Sequence, residues 1–119
     1  MMKPKSAKAK GRRLQNEVAQ DIAATLMVPE EGVRGAIMGE SGCDIKLAYT
    51  LRTEFPFSVE CKNVERLNIW EALAQAEKNA VPGTMPVVVI RRNNIKPWAV
   101  IPWTLFLELI KNGLLRGRK

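Results

Sequence analysis

Apolar residues recur at Leu14, Val18, Ile22 and Leu26, one every four positions, while Arg13, Glu17, Gln20 and Asp21 fall on other faces. That spacing predicts an amphipathic helix, which Pro29 ends. The stretch from Glu31 to Gly42 places four glycines around Ala36 to Met38 and predicts a short strand there, with a turn on either side. From Asp44 the period changes to two. Ile45 and Leu47 point one way and Asp44 and Lys46 the other, as in a half-buried strand. The next strand repeats the pattern, with Phe57, Val59 and Cys61 on one face and Ser58, Glu60 and Lys62 on the opposite one.

A second helix is expected over roughly Ile69 to Ala80, with Ile69, Leu73, Ala76 and Ala80 inward and Glu71, Gln75, Lys78 and Asn79 on another side, stopped by Pro82 and Gly83. The β-branched run Val87 to Ile90 reads as a central strand buried on both faces. Arg91 and Arg92 lead into the turn signal Asn93-Asn94, and Trp98 to Ile101, between Pro97 and Pro102, returns as an edge strand. Thr104 is the expected N-cap of a last helix bearing Leu105, Phe106, Leu109 and Ile110, with Gly113 near its end. The order of elements predicts one mixed α/β domain. Ahead of it, residues 1 to about 10 lack apolar periodicity and predict a mobile basic arm.

A chain of 119 residues with 46% hydrophobic residues has enough apolar surface for a core without disulfides or metal staples. It contains two cysteines, Cys43 and Cys61, in no CxxC pair, and no histidine. Zinc coordination and mechanisms that need a histidine base are thereby set aside. No apolar run reaches membrane-spanning length and no secretory signal is visible, so a soluble, intracellular protein with reduced thiols is expected.

The net charge of +7 is unevenly distributed. Six basic residues and no acid lie between Met1 and Arg13, and Arg116, Arg118 and Lys119 close the chain. That leaves ten basic residues against 12 acids between Leu14 and Leu115. Positive ends of this kind make a polyanion the expected partner, and counterion release makes nucleic acid the default; a solubilising tail with no ligand is the competing reading.

A phosphodiester hydrolase without histidine needs carboxylates for a hard divalent cation and a group that orients the attacking water. Asp44 opens one predicted strand and Glu60 lies on the next, both turned from the apolar side, so pairing of the strands would bring them to one ion. Lys62 shares the face of Glu60, about 7 Å along the strand, where an ammonium can serve the water or the charge developing on phosphate. Glu17, on the polar flank of the first helix, and the Cys61 carbonyl could complete the ligand set.

The run Gly42-Cys43-Asp44, followed about one hairpin later by Glu60-Cys61-Lys62, preceded by a helix with Glu17 and followed by one with Gln75, resembles the PD-(D/E)XK nuclease superfamily. It is most similar to the small archaeal-type and phage Holliday junction resolvases. The resemblance covers roughly Gly11 to Ile110, and Cys43 stands where the motif has proline. It implies a restriction-endonuclease-like mixed β-sheet flanked by helices over residues 11–119. It further implies Asp44 and Glu60 as metal ligands, Lys62 as the catalytic lysine, Glu17 as the acid of the first helix and Gln75 as an auxiliary polar group. The implied cofactor is Mg2+, with Mn2+ as a substitute, and the implied origin is a phage, prophage or prokaryote. The expected substrate is branched DNA, and symmetric cutting of two strands requires a homodimer. Lys8, Lys10, Arg12, Arg13 and Arg91 are the residues expected to hold flanking phosphates.

Each of these residues also has an ordinary reading. Glu60 and Lys62 fit a solvated strand face with a weak ion pair, Asp44 fits a turn cap, and Glu17 and Gln75 fit plain helix surface. Trp98 and Trp103 fit core or interface positions as well as base stacking. A non-catalytic DNA-binding module with the nuclease fold, and a nuclease or nickase of another specificity, are the alternative functions.

Overall fold

The computed structural model describes residues 4–113. Helix α1 spans Pro4–Leu26. Its stripe of Leu14, Val18 and Ile22 is buried and Leu26 packs at the edge of the same cluster. The segment from Pro4 to Lys10, expected as an arm, is the first part of this helix: lysine and alanine are good helix formers, and Lys10 is buried. Met1 to Lys3 and the basic residues Arg116, Arg118 and Lys119 lie outside the described residues. At the helix end Met27 takes a left-handed φ of 59°. The Val28 N–H then reaches back to the Ala23 carbonyl and the Met27 N–H to Ala24, which closes the last turn two residues before Pro29.

A 3-10 turn at Glu30–Gly32 leads into β1, Val33–Gly35, which pairs antiparallel with β2, Ile45–Leu47. The first strand therefore forms earlier than the expected Ala36 to Met38. Val33 is buried in the α1 cluster, whereas Ile37 and Met38 are exposed, and burial of the β-branched residue decides the register. Strand β3 is Phe57–Asn63, helix α2 Ile69–Asn79, strand β4 Met85–Arg91, strand β5 Trp98–Val100 and helix α3 Trp103–Lys111. β3 and β4 run parallel with α2 as the crossover, and β5 returns antiparallel on the outer edge of β4. The turn before β5 uses Asn94 at φ 62°, a conformation asparagine tolerates better than most residues. α3 starts at Trp103, with Pro102 rather than Thr104 at its N-cap position and no side-chain cap.

Instead of one continuous sheet, the described residues form an antiparallel β1-β2 pair and a mixed β3-β4-β5 sheet. The two meet where the Asp44 N–H donates to the Val59 carbonyl at 3.0 Å. Val59 and Cys61 face α1 in the larger cluster. On the other side of the sheet Ala72 and Ala76 of α2 pack on Val88. Because α2 and the Val81–Thr84 segment that follows it cross that side, Glu60 and Ser58 are buried rather than solvated, so β3 is covered on both faces and not half-buried as its alternation predicts. β4 is central in its sheet, but only Val88 within it is fully buried. Among the described residues no helix is long and apolar enough to cross a membrane.

Candidate active site

Gly42, at φ 91°, turns the chain into Cys43 and Asp44. A side chain there would be strained in that conformation and would also bring a Cβ within 2.9 Å of the Lys46 ammonium. The buried Cys43 thiol donates to the Ile45 carbonyl at 3.3 Å, which ties this corner to β2. Asp44 is thereby set against the free edge of β3. Its N–H bonds Val59, and its Oδ2 accepts the Cys61 N–H at 2.7 Å. N–H and C=O of one strand residue leave on the same edge, so the Cys61 carbonyl points to this side as well.

Glu60 lies one residue before Cys61 and is 2% exposed. Its Oε1 accepts from Asn79 Nδ2 of α2 at 3.1 Å. Burial first, and the adjacent Asp44 carboxylate second, raise its carboxyl from the usual glutamate range to about 7, against the smaller opposing effects of Asn79 and Lys62. Two carboxyl groups close enough to share a proton thus sit at the edge of β3. Lys62 follows on the same face, and its Nζ donates to Gln75 Oε1 at 2.7 Å. Burial also drives the Cys61 thiol well above its ordinary range. It is held as a neutral thiol, unsuited to act as a nucleophile.

Asp44, Glu60, Lys62, Gln75 and the Cys61 backbone are therefore brought together. Glu17 is not. At 100° per residue, Glu17 lies on the flank of the α1 stripe opposite Gln15, and its Oε2 pairs with Arg91 Nη1 at the end of β4. The same helical phase divides the basic residues of α1. Lys8, Gly11, Arg12 and Gln15 line a basin of about 310 Å³ that Asp44 also lines, while Lys10 and Arg13 turn with Glu17 toward Arg91. Replacing Glu17 with Gln is expected to cost no more than about 1 kcal/mol of stability, because the pair is partly solvated; denaturant melts of the two proteins measure this.

Sequence reasoning missed Asn79 and Gln15. Asn79 follows Gln75 by four residues and so shares its helix face, a spacing that makes it a natural partner for Glu60 once α2 is known to cross β3. Gln15 approaches so closely that a Cβ on Gly35 would come within 3.0 Å of its Oε1.

The donors facing each other here are hard oxygens, and the buried Glu60 carboxyl, pushed up to about 7 beside the partly buried Asp44, makes a site where a divalent cation can take the place of the proton. Among the described residues no group of three or more His, Cys, Asp or Glu side chains gathers. Two carboxylates and a carbonyl suit magnesium, which commonly takes one or two carboxylates and completes its sphere with water and substrate phosphate. Asp44, Glu60 and the Cys61 carbonyl are the residues that would hold it. The chain matches no protein-family model, no curated protein and no solved structure.

Proposed function

We propose that the protein is a magnesium-dependent endonuclease that hydrolyses phosphodiester bonds in DNA, branched DNA in particular, through a PD-(D/E)XK-type site. The observation that carries the reading is the buried Glu60 carboxyl beside Asp44, followed two residues later by Lys62 on the same face. A structural ion pair would join Glu60 to Lys62. Here each is held by a different residue of α2, Glu60 by Asn79 and Lys62 by Gln75, and the two are not joined to each other.

When bound, the magnesium ion supplies Lewis-acid stabilisation of charge on the reacting phosphate. The chain does the positioning. The Cys61 N–H fixes one Asp44 oxygen and Asn79 fixes one Glu60 oxygen, so neither carboxylate has to reorganise during the reaction. Gln75 restrains the Lys62 ammonium, which orients the attacking water and offsets negative charge as that water gives up a proton to solvent, the new oxygen–phosphorus bond forms and the bond to the leaving oxygen breaks in line. Lys8 and Arg12, which share a basin with Asp44 and Glu40, and Arg91 and Arg92, which share a groove of about 430 Å³ with Glu65 and Trp98, are the cations offered to flanking phosphates. Exposed Trp98, Trp103 and Phe106, the last two stacked at 5.7 Å, offer an apolar face for the homodimer that paired cutting requires.

The test is incubation with end-labelled four-way junction, linear duplex and single strand, in magnesium and in EDTA. Paired nicks in the junction that need magnesium are expected. Cutting of every substrate would identify a general nuclease, and salt-sensitive binding with no cutting under any condition would overturn the catalytic reading in favour of a DNA-binding module.

A further inference from the structure

The Lys10 side chain is 6% exposed, and its Nζ is buried without a hydrogen-bond partner among the described residues. A buried ammonium with no counter-charge is costly. Lys10 lines a basin of about 210 Å³ together with Arg13, Asn63, Arg91 and Arg92. α1 brings Lys10 and Arg13 there, three residues apart on one flank. The parallel register of β3 and β4 sets Asn63 beside Arg91. Asn63 Nδ2 donates to the Lys10 carbonyl at 3.1 Å and anchors the helix to the strand end. Its Oδ1 is a buried acceptor without a partner, suited to a hydroxyl or an accompanying water. Glu17 pairs with Arg91 through Nη1 alone, and a guanidinium has four further N–H groups to offer.

We propose that this basin is a phosphate-binding site, separate from the carboxylate pair, that takes a non-scissile phosphate of the bound DNA strand. The basin as an oxyanion site stands on Lys10 and its cationic neighbours alone; the identity of the phosphate as part of the cleaved strand rests on the nuclease reading. Asn63 is three residues beyond Glu60, about 10 Å along the strand, and turns to the α1 face where it meets Lys10, so the phosphate held here is distinct from the one at the carboxylate pair.

The experiment uses the full chain in EDTA, so that cleavage does not enter. Inorganic phosphate, against chloride at matched ionic strength, is expected to raise the melting temperature of the wild type. In Lys10→Met that shift disappears and phosphate binding by calorimetry weakens at least tenfold. For DNA, Lys10→Met is expected to lower the salt slope of binding to a short duplex by about 1. Arg92→Ala, at an exposed position, serves as a second variant should Lys10→Met fail to fold, and is expected to weaken binding of both probes. A phosphate shift of equal size in wild type and both variants, or none in any, would overturn the site. Loss of phosphate binding with an unchanged DNA salt slope would overturn the assignment to the DNA strand and leave a site for free phosphate. Magnesium-dependent cleavage is read separately, so either failure stays distinct from failure of the nuclease reading.

Discussion

Replacing Glu60 with Gln is expected to stabilise the metal-free protein by roughly 3 kcal/mol at pH 8 and to change nothing at pH 4. The folded-state carboxyl titrates near 7 against an ordinary 4.5, so between those values the folded chain binds a proton the unfolded chain has released. Stability must then fall as pH rises through this window. Below it both states are protonated and nothing is lost; above it both are ionised, and the folded state bears the full cost of a buried carboxylate beside Asp44. A glutamine amide removes that cost without leaving a gap, since its oxygen accepts from Asn79 and its N–H₂ donates to Asp44. Denaturant unfolding of both proteins from pH 4 to 8 measures the difference, and parallel profiles would refute it. The Arg34 fork on Glu40, which with the Ile37 N–H holds that carboxyl down at about 2, favours the folded state above the ordinary range and loses this effect as pH falls. It is common to both proteins and drops out of the comparison. Magnesium at pH 8 is expected to stabilise the wild type, by about 2.7 kcal/mol at a hundredfold excess over Kd, and to leave the variant unmoved.

Much of this arrangement was legible in the sequence because it depends on period. The four-residue stripe of α1, the alternation through Ile45 and along β3, and the β-branched run of β4 each report a burial direction that the fold then uses. Alternation also put Glu60 and Lys62 on one face. It did not reveal that α2 lies across that face, which turns a solvated strand side into a buried one and Glu60 into a perturbed acid. A helix stripe likewise fixes which residues go in but leaves the two flanks equivalent until neighbours are known. Glu17 and Gln15 were indistinguishable on that ground, and the packing of α1 sends Gln15 toward the basin at Asp44 and Glu17 to Arg91. Residues 4–10 depart from the expected arm for a different reason. Their composition suits either a solvated arm or a helix, and continuation of α1 decides it. For the expected strand at Ala36 to Met38, a local apolar cluster competed with Val33 for the core and lost.

Lys62→Met is expected to lower the rate of DNA cleavage by about 10²–10³, the usual effect of removing one preorganised charge from a transition state, while DNA affinity in EDTA stays close to that of the wild type. The split follows from where the ammonium sits. Gln75 holds it at 2.7 Å on the α2 side of the sheet, on the face it shares with Glu60, whereas Lys10 and its arginine neighbours occupy a separate basin at the strand ends. Ground-state phosphate contacts are therefore met elsewhere, and the loss should appear in the chemical step. Lys62→Arg should not restore it, because a planar guanidinium presents its charge through a different geometry from a compact ammonium. Gln75→Ala leaves the charge in place but unrestrained, and a smaller loss of about 10–100-fold is expected, in line with removal of a supporting partner. Single-turnover cleavage beside equilibrium binding separates the two effects. A Lys62→Met protein that cuts at the wild-type rate once saturated with DNA would show that Lys62 serves binding alone, and the role assigned to it in the reaction would have to be given up.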